Sequence, residues 1–253
     1  MKSITTLIKN IIKSLLDKKG YRVFKVGPYS IFDFESFLYR HLATQKSFSF
    51  LQIGANDGVM NDPIYKFNTD NSSVVSGYVL EPLPDIFKKL SENYSFCPNI
   101  KAFNVAIHAT ESEMVLHRVK PSHKDKVSEF ANGIASFNKT HWEKTNLIPH
   151  IDYMEEVLVQ CTTFQDFIEL NAIKELDLLL IDTEGYDYEI LMSVDFSLIK
   201  PKIIRFEHGV RNKLMSSSDF TNLCNHLNSF GYQVIAESYD ATAYLLDPSD
   251  LIF

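Results

Sequence analysis

The run LDLLLID, residues 176–182, constrains this chain more than any other segment. It is apolar almost throughout and ends on an acid, with Thr183, Glu184 and Gly185 following. A strand with one wet face alternates apolar and polar residues. An unbroken apolar run of strand length is instead what a central parallel strand needs, because both of its faces are covered. Layers must then lie above and below it, and parallel neighbours require crossover connections.

The rest of the chain supplies both. Phe48–Ile53 reads as a short apolar strand running into a glycine-bearing turn. GYVLEP, residues 77–82, is a second strand ending in an acid, and PDIFKKLSENY, residues 84–94, is a helix with Pro84 in its first turn. KAFNVAI, residues 101–107, reads as a third strand, EMVLHRV, 113–119, as an additional one, and VLVQC, 157–161, as another. Thr162 or Thr163 is placed to cap a helix ending near Lys174. A helix over 186–193, a strand over 201–208, a helix over 217–230 ended by Gly231, and a closing strand pair complete the pattern. Helices and strands alternate almost throughout. The expectation is one doubly wound α/β domain over 47–253: a mostly parallel, seven-stranded, Rossmann-like sheet with helices on both faces and ligands at the strands' carboxyl ends. Residues 120–150 show weak periodicity and read as an irregular insertion of the kind that covers a site.

Residues 1–46 read as an N-terminal helical segment. In its opening part, Ile4, Leu7, Ile8, Ile11, Ile12, Leu15 and Leu16 recur at helical spacing, with Lys2, Lys9 and Lys13 off the stripe. Such a face packs on the body of the protein, on a second copy, or peripherally on a membrane surface. No stretch is long and apolar enough for a transmembrane helix. Lys9 and Lys13 break the apolar run, and no small-residue cleavage site follows, so it does not read as a signal peptide. The formal net charge of −7 argues against a nucleic-acid partner. Cys97, Cys161 and Cys224 are scattered and form neither a disulfide framework nor a zinc spacing. They suit reduced thiols and a cytoplasmic setting.

Four places carry chemistry. IGANDG, residues 53–58, places Gly54 and Gly58 at a strand-to-turn junction, where glycine lets backbone approach a ligand. The spacing is not the dinucleotide fingerprint, and Asp57 in the turn suits a cationic ligand better than a pyrophosphate. A plain surface turn is the simpler reading of Asn56, Asp57 and Gly58. Glu81, closing the second strand, is positioned to accept the hydroxyls of a ribose. Nicotinamide folds share that acid, so Glu81 by itself marks an adenosine cofactor. Asp182 and Glu184 leave the central strand together, and two carboxylates there call for a partner: a substrate hydroxyl, a metal, Arg205 or His208. Glu207 and His208 end the neighbouring strand, and a histidine there can move a proton near neutral pH.

Taken together, FLQIGANDG, YVLEPLPDIFKKLSENY, NVAI, LLLIDTEGYDYEILMSVDF and PKIIRFEH resemble the FkbM-type methyltransferase family over roughly residues 48–208. The resemblance implies an S-adenosylmethionine-dependent O-methyltransferase acting on a hydroxyl of a sugar, glycan or natural product. It makes Gly54, Ala55, Asn56, Asp57 and Gly58 the cofactor loop, Glu81 with Pro82 the ribose end, and Asp182, Glu184 and Gly185 the family's Asp-x-Glu-Gly signature. Glu207 matches the acid after the following strand. Gln52 stands where the family often has an acid. The expected catalytic set is His208 as base with Asp182, Glu184 and Glu207. A divalent metal such as Mg²⁺ on Asp182, Glu207 and His208 is a further candidate. The competing readings are a nicotinamide-dependent oxidoreductase and a non-catalytic scaffold that keeps the fold.

Overall fold

The computed structural model describes residues 32–128, 131, 133, 135–138 and 148–246. The amphipathic face expected over residues 1–20 lies outside the described residues. So do residues 129, 130, 132, 134 and 139–147 of the expected insertion.

A seven-stranded sheet forms the body. Its strands are β1 (Phe48–Ile53), β2 (Val75–Leu80), β3 (Ile100–Phe103), β8 (Leu178–Ile181), β9 (Ile203–Glu207), β10 (Tyr232–Ala236) and β11 (Asp240–Leu245). They run in the order β10-β11-β9-β8-β1-β2-β3. β1, β2, β3, β8 and β9 pair in parallel, while β11 lies antiparallel to both its neighbours. From β1 the chain moves outward through β2 and β3, then returns to the other side of β1 for β8. The order therefore reverses between β1 and β8, and a crevice opens beyond their carboxyl ends at such a switch point.

Alternation along the strands feeds two cores. Phe48 and Phe50 of β1, with Leu178 and Leu180 of β8, face α1 (Phe34–Ala43), α2 (Tyr65–Asp70) and α3 (Pro84–Asn93) through Leu38, Phe67 and Leu90. Leu51, Ile53, Leu179 and Ile181 face the other way, onto α4 (Phe164–Leu170), α5 (Asp187–Ser193) and α6 (Ser217–Ser229). All four residues of β8 are buried, as the apolar run predicts. Pro84 opens α3, and the Thr163 hydroxyl caps α4 by accepting from Asp166 N at 3.0 Å. That helix ends at Leu170, earlier than the expected Lys174.

The segment read as one strand over 101–107 divides. β3 stays in the main sheet, whereas β4 (Ala106–Ile107) pairs with β7 (Met154–Thr162) in a separate four-stranded sheet. Asn104 sits at the break, its Nδ2 donating to the carbonyls of Glu81 and Pro82 at 2.9 and 2.8 Å. β5 (Glu113–Val119) and β7 run antiparallel in this second sheet, and β6 (Ala135–Ser136) adds to β5. Leu116, Val159 and Cys161 pack its inner face on Leu83 and Ile86. The additional strands thus build a small sheet above the crevice rather than widening the main one.

Candidate functional site

The crevice is a cleft of about 1220 Å³, counting its open mouth. Its floor is the carboxyl end of the sheet: Gln52, Ile53, Gly54, Glu81 and Asp182. Its far wall comes from the second sheet and the insertion, through Leu116, Arg118, Val119, Lys124, Ala135 and Phe137. Of residues 120–150, Lys124, Gly133, Ala135 and Phe137 line the cleft.

Gly54 is the pivot of the floor. It adopts φ +81°, and a Cβ there would sit 1.8 Å from the carbonyl oxygen of Asp182. Only glycine lets the β1 turn lie this close to the end of β8. Gly54 N and Ala55 N both donate to Leu80 O, at 3.1 and 2.9 Å, which ties the turn to β2. Gly58 serves packing instead, since a Cβ there would meet Leu90 and Tyr94 at 2.7 Å. Asp57 faces its own backbone: Oδ1 accepts from Val59 N and Met60 N at 2.9 and 2.8 Å. Gly54, Ala55, Asn56, Glu81, Pro82 and Asp182 line the cleft. Asp57 and Gly58 shape the turn behind it.

Glu81 is buried, 6% exposed. Its Oε2 accepts from Asn56 N at 3.1 Å and its Oε1 from Leu83 N at 2.9 Å. Burial pushes its carboxyl up to about 7, against the lowering effect of those two N–H groups. Each oxygen keeps a lone pair for a further donor.

Asp182, Glu184 and Glu207 offer carboxylate oxygens that all lie within 4.8 Å of one another. Adjacent strands β8 and β9 deliver them to the same edge. Glu184 has φ +54° and Gly185 φ +103°, a left-handed backbone conformation that costs the non-glycine Glu184 free energy. Ser136 Oγ donates to Glu184 O at 2.9 Å, joining the insertion to this turn. Asp182 is open to the cleft yet surrounded by protein. That depth, then repulsion from Glu184, Asp187, Asp240 and Asp62, raises its carboxyl well above the usual range. Burial and then Asp187 bring Glu184 to about 7. Burial followed by the neighbouring acids brings Glu207 to about 10, and Glu207 Oε2 is buried with no hydrogen-bond partner among the described residues.

Sequence reasoning missed Asp187, which is buried and organises this cluster. Its Oδ2 accepts from Thr183 N and Thr183 Oγ1 at 3.1 and 2.6 Å, and its Oδ1 accepts from Glu207 N at 3.0 Å. The turn after β8 and the end of β9 thus share one anchor. Asp62 was missed as well. It lines the cleft beside Gln52 from an irregular loop without a motif.

His208 does not join the carboxylates. Its Nδ1 accepts from Val210 N at 3.2 Å, and its Nε2 lies 3.3 Å from Glu237 O as donor. The ring is 5% exposed, packs 4.5 Å from Phe220, and is absent from the cleft lining. With both nitrogens held by backbone, the ring has no free position for a substrate proton or a metal. Arg205 is committed too, to Glu237 and Asp240 at 2.6 and 2.8 Å. Of the candidate metal ligands, Asp182, Glu184 and Glu207 are the ones grouped, and His208 does not join them.

A family model described as "Methyltransferase FkbM domain" matches residues 52–234. No curated protein matches the chain. Among solved structures, the precorrin-6y C5,15-methyltransferase of Geobacter metallireducens GS-15 is 13% identical, with a TM-score of 0.39, covering 87% of this chain and 93% of that one. The human methyltransferase 10 domain containing protein is 10% identical, with a TM-score of 0.42 and coverages of 95% and 97%. A SAM-dependent methyltransferase from Aquifex aeolicus is 7% identical, with a TM-score of 0.41 and coverages of 83% and 87%.

Proposed function

The chain belongs to the FkbM family of S-adenosylmethionine-dependent methyltransferases, and from that premise we propose that it methylates a hydroxyl oxygen, with Asp182 as the group that receives the acceptor's proton. The sugar, glycan or natural-product class of the acceptor comes from the family resemblance. The observation that carries the reading is the placing of two acids, Glu81 and Asp182, in one cleft around a turn that only glycine can make.

The residues fit the cofactor. Glu81 has free lone pairs for two ribose hydroxyls, fixed in place by Asn56 N and Leu83 N. Leu83, Ile86, Val105 and Ile107 offer apolar walls for a purine beside it. The surplus of carboxylates favours a cationic ligand. S-adenosylmethionine, when bound, supplies an activated methyl on a sulfonium whose sulfur departs as a neutral thioether. Asp182 aligns the acceptor oxygen and takes its proton. A carboxylate whose proton affinity is raised is a stronger base for an alcohol than an ordinary one. Repulsion within the Asp182, Glu184 and Glu207 trio keeps all three from ionising together, so one holds a proton while another remains an acceptor.

A second reading is favoured by the 4.8 Å grouping of those oxygens. Asp182, Glu184 and Glu207 would hold a divalent cation such as Mg²⁺, which would relieve their repulsion and lower the acceptor hydroxyl's pKa. The free Cys97, Cys161 and Cys224 accord with a cytoplasmic setting. Among the described residues no helix is long and apolar enough to cross a membrane.

Binding and transfer test the proposal in turn. S-adenosylhomocysteine should raise the melting temperature and NAD should not. Label should pass from S-adenosylmethionine to a hydroxyl in a panel of sugars and polyketides. Chelator should leave that transfer intact if Asp182 alone is the base, and abolish it, with rescue by Mg²⁺ or Mn²⁺, if the trio holds a metal. A chain that binds NAD and ignores S-adenosylhomocysteine would sink the reading.

A further inference from the structure

Gln52 closes β1 and is 2% exposed. Its Nε2 donates to Asp62 Oδ2 at 2.9 Å. Its Oε1 is buried and has no hydrogen-bond partner among the described residues. A buried acceptor left unmade costs free energy and is rare enough in folded proteins to need a reason. The other oxygen of Asp62, Oδ1, accepts from Ile64 N and Tyr65 N, both at 2.7 Å, and so caps the approach to α2. Asp62 is thus held at both oxygens by neutral N–H donors. An ionised Asp62 also fixes the Gln52 amide, whose NH₂ end must face the carboxylate. Both residues line the cleft, and among the described residues their side chains meet neutral N–H donors and no cation.

The patch formed by Gln52 and Asp62 belongs to one cleft with Glu81, which Leu83 and Ile86 line as well. The turn Gly54–Asn56 begins next to Gln52 and reaches Glu81 through Asn56 N, so it connects the two. Asp62 is also among the charges acting on Asp182, so it stands within electrostatic reach of the proposed reaction centre. A ligand whose ribose sits on Glu81 and whose 5′ arm follows this turn would bring that arm to Gln52 and Asp62.

Resting on the cofactor reading above, we propose that Asp62, oriented by Gln52, receives the ammonium group of the cofactor's amino-acid arm, as a positioning residue that fixes where the methyl lies. An ammonium supplies the donors that this patch lacks, and a charge-assisted bond to a carboxylate is stronger than one to an amide. The carboxylate reaches the site from the loop before α2, while β1 itself contributes only the neutral Gln52.

Equilibrium binding by calorimetry, with no turnover involved, tests this. The probes are S-adenosylhomocysteine and its deaminated analogue, which keeps the adenosine, sulfur and carboxylate but lacks the amino group. The wild-type chain should prefer S-adenosylhomocysteine by about 10–100-fold. Asp62→Asn keeps an oxygen for Ile64 N and Tyr65 N but removes the charge. It should bind the two ligands within about 2-fold of each other, with affinity for the deaminated analogue unchanged. Gln52→Met, which leaves the α2 cap alone, should lose part of the same preference and decides the matter if Asp62→Asn does not fold. Full preference retained in the folded variants overturns the assignment of Asp62 and leaves the cofactor reading standing. A wild-type chain that binds neither ligand overturns that reading, and this inference with it.

Discussion

Asp177 precedes β8 and Asp182 follows it, and the two ends of this one strand treat an aspartate in opposite ways. Asp177 is 8% exposed and saturated with donors. Ser49 N and Ser49 Oγ donate to its Oδ2 at 2.8 and 3.0 Å, and Lys202 Nζ donates to its Oδ1 at 2.8 Å. His41 Nε2 lies 3.2 Å from the same Oδ1. Burial alone would raise its carboxyl, but the bonds from His41, Lys202 and Ser49 reverse this and hold it below the usual carboxylate range. Asp182 opens to the cleft, yet burial first, then repulsion from Glu184, Asp187, Asp240 and Asp62, raises its carboxyl. The first acid is a closed structural joint. The second is surrounded by like charge, an arrangement that weakens the fold and suits a ligand or a proton that arrives later.

The contrast predicts opposite penalties for removing each charge, and the larger concerns activity. Asp182→Asn should lower methyl transfer by roughly 100–10,000-fold, the range for losing a general base. Its melting temperature should stay level or rise by ~2 °C, since a repulsive charge is gone but cleft water already screens it. Single-turnover assays and a thermal melt check the two halves. Near-normal transfer would take the base away from Asp182.

At the other end, Asp177→Ala should destabilise the chain by about 2–4 kcal/mol, because it leaves Ser49 N and the Lys202 ammonium without their acceptor. A domain of this size then melts lower by roughly 2–4 °C per kcal/mol. Activity per folded molecule should persist, since the break is at the amino ends of the strands. A urea titration alongside the transfer assay separates these. If Asp177→Ala lost activity while keeping its stability, the two ends would not be independent.

Much of this was legible in the sequence, for reasons that can be located. β8 was visible because a strand covered on both faces has no room for polar alternation. Glu81 and the Asp182–Glu184 pair were visible because acids ending apolar strands must lie on one edge of a parallel sheet. What stayed hidden depends on partners distant along the chain. His208 sits at the expected strand end, yet the groups that occupy it include Glu237 O and, for its own backbone N–H, Tyr239 O, both from the turn between β10 and β11. The break between β3 and β4 lies within a run that reads as one strand, and the Asn104 side chain that marks it answers to Glu81 and Pro82. Asp62 belongs to an irregular loop, where no periodicity points a side chain anywhere. The α2 segment is six residues long and too short for an amphipathic pattern to register.

The smallest effect concerns pH, and its sign differs between the two ends. A carboxyl held below its unfolded value stabilises the fold above about pH 4 and loses that contribution as pH falls. Asp177 is of this kind. A carboxyl held above its unfolded value acts the other way. Between about pH 4.5 and its folded pKa the folded chain keeps a proton that the unfolded chain has released, so stability declines as pH rises through that window. Glu81, brought to about 7 chiefly by burial, is of this second kind, as is Asp62 at about 6. Without cofactor, the melting temperature should therefore peak on the acidic side of neutrality and fall between pH 5 and 8. Glu81→Gln should flatten that fall by a few degrees while leaving the acid side as it was, on the scale of about 1 kcal/mol. Asp177→Asn should flatten the acid side and leave the fall toward pH 8 in place. Melting curves of the three proteins at half-unit steps from pH 3 to 9 give both slopes. If Glu81→Gln kept the wild-type slope above pH 5, Glu81 would not be the acid whose burial sets it, and the contrast between the two ends would rest on Asp62 and the Asp182 cluster.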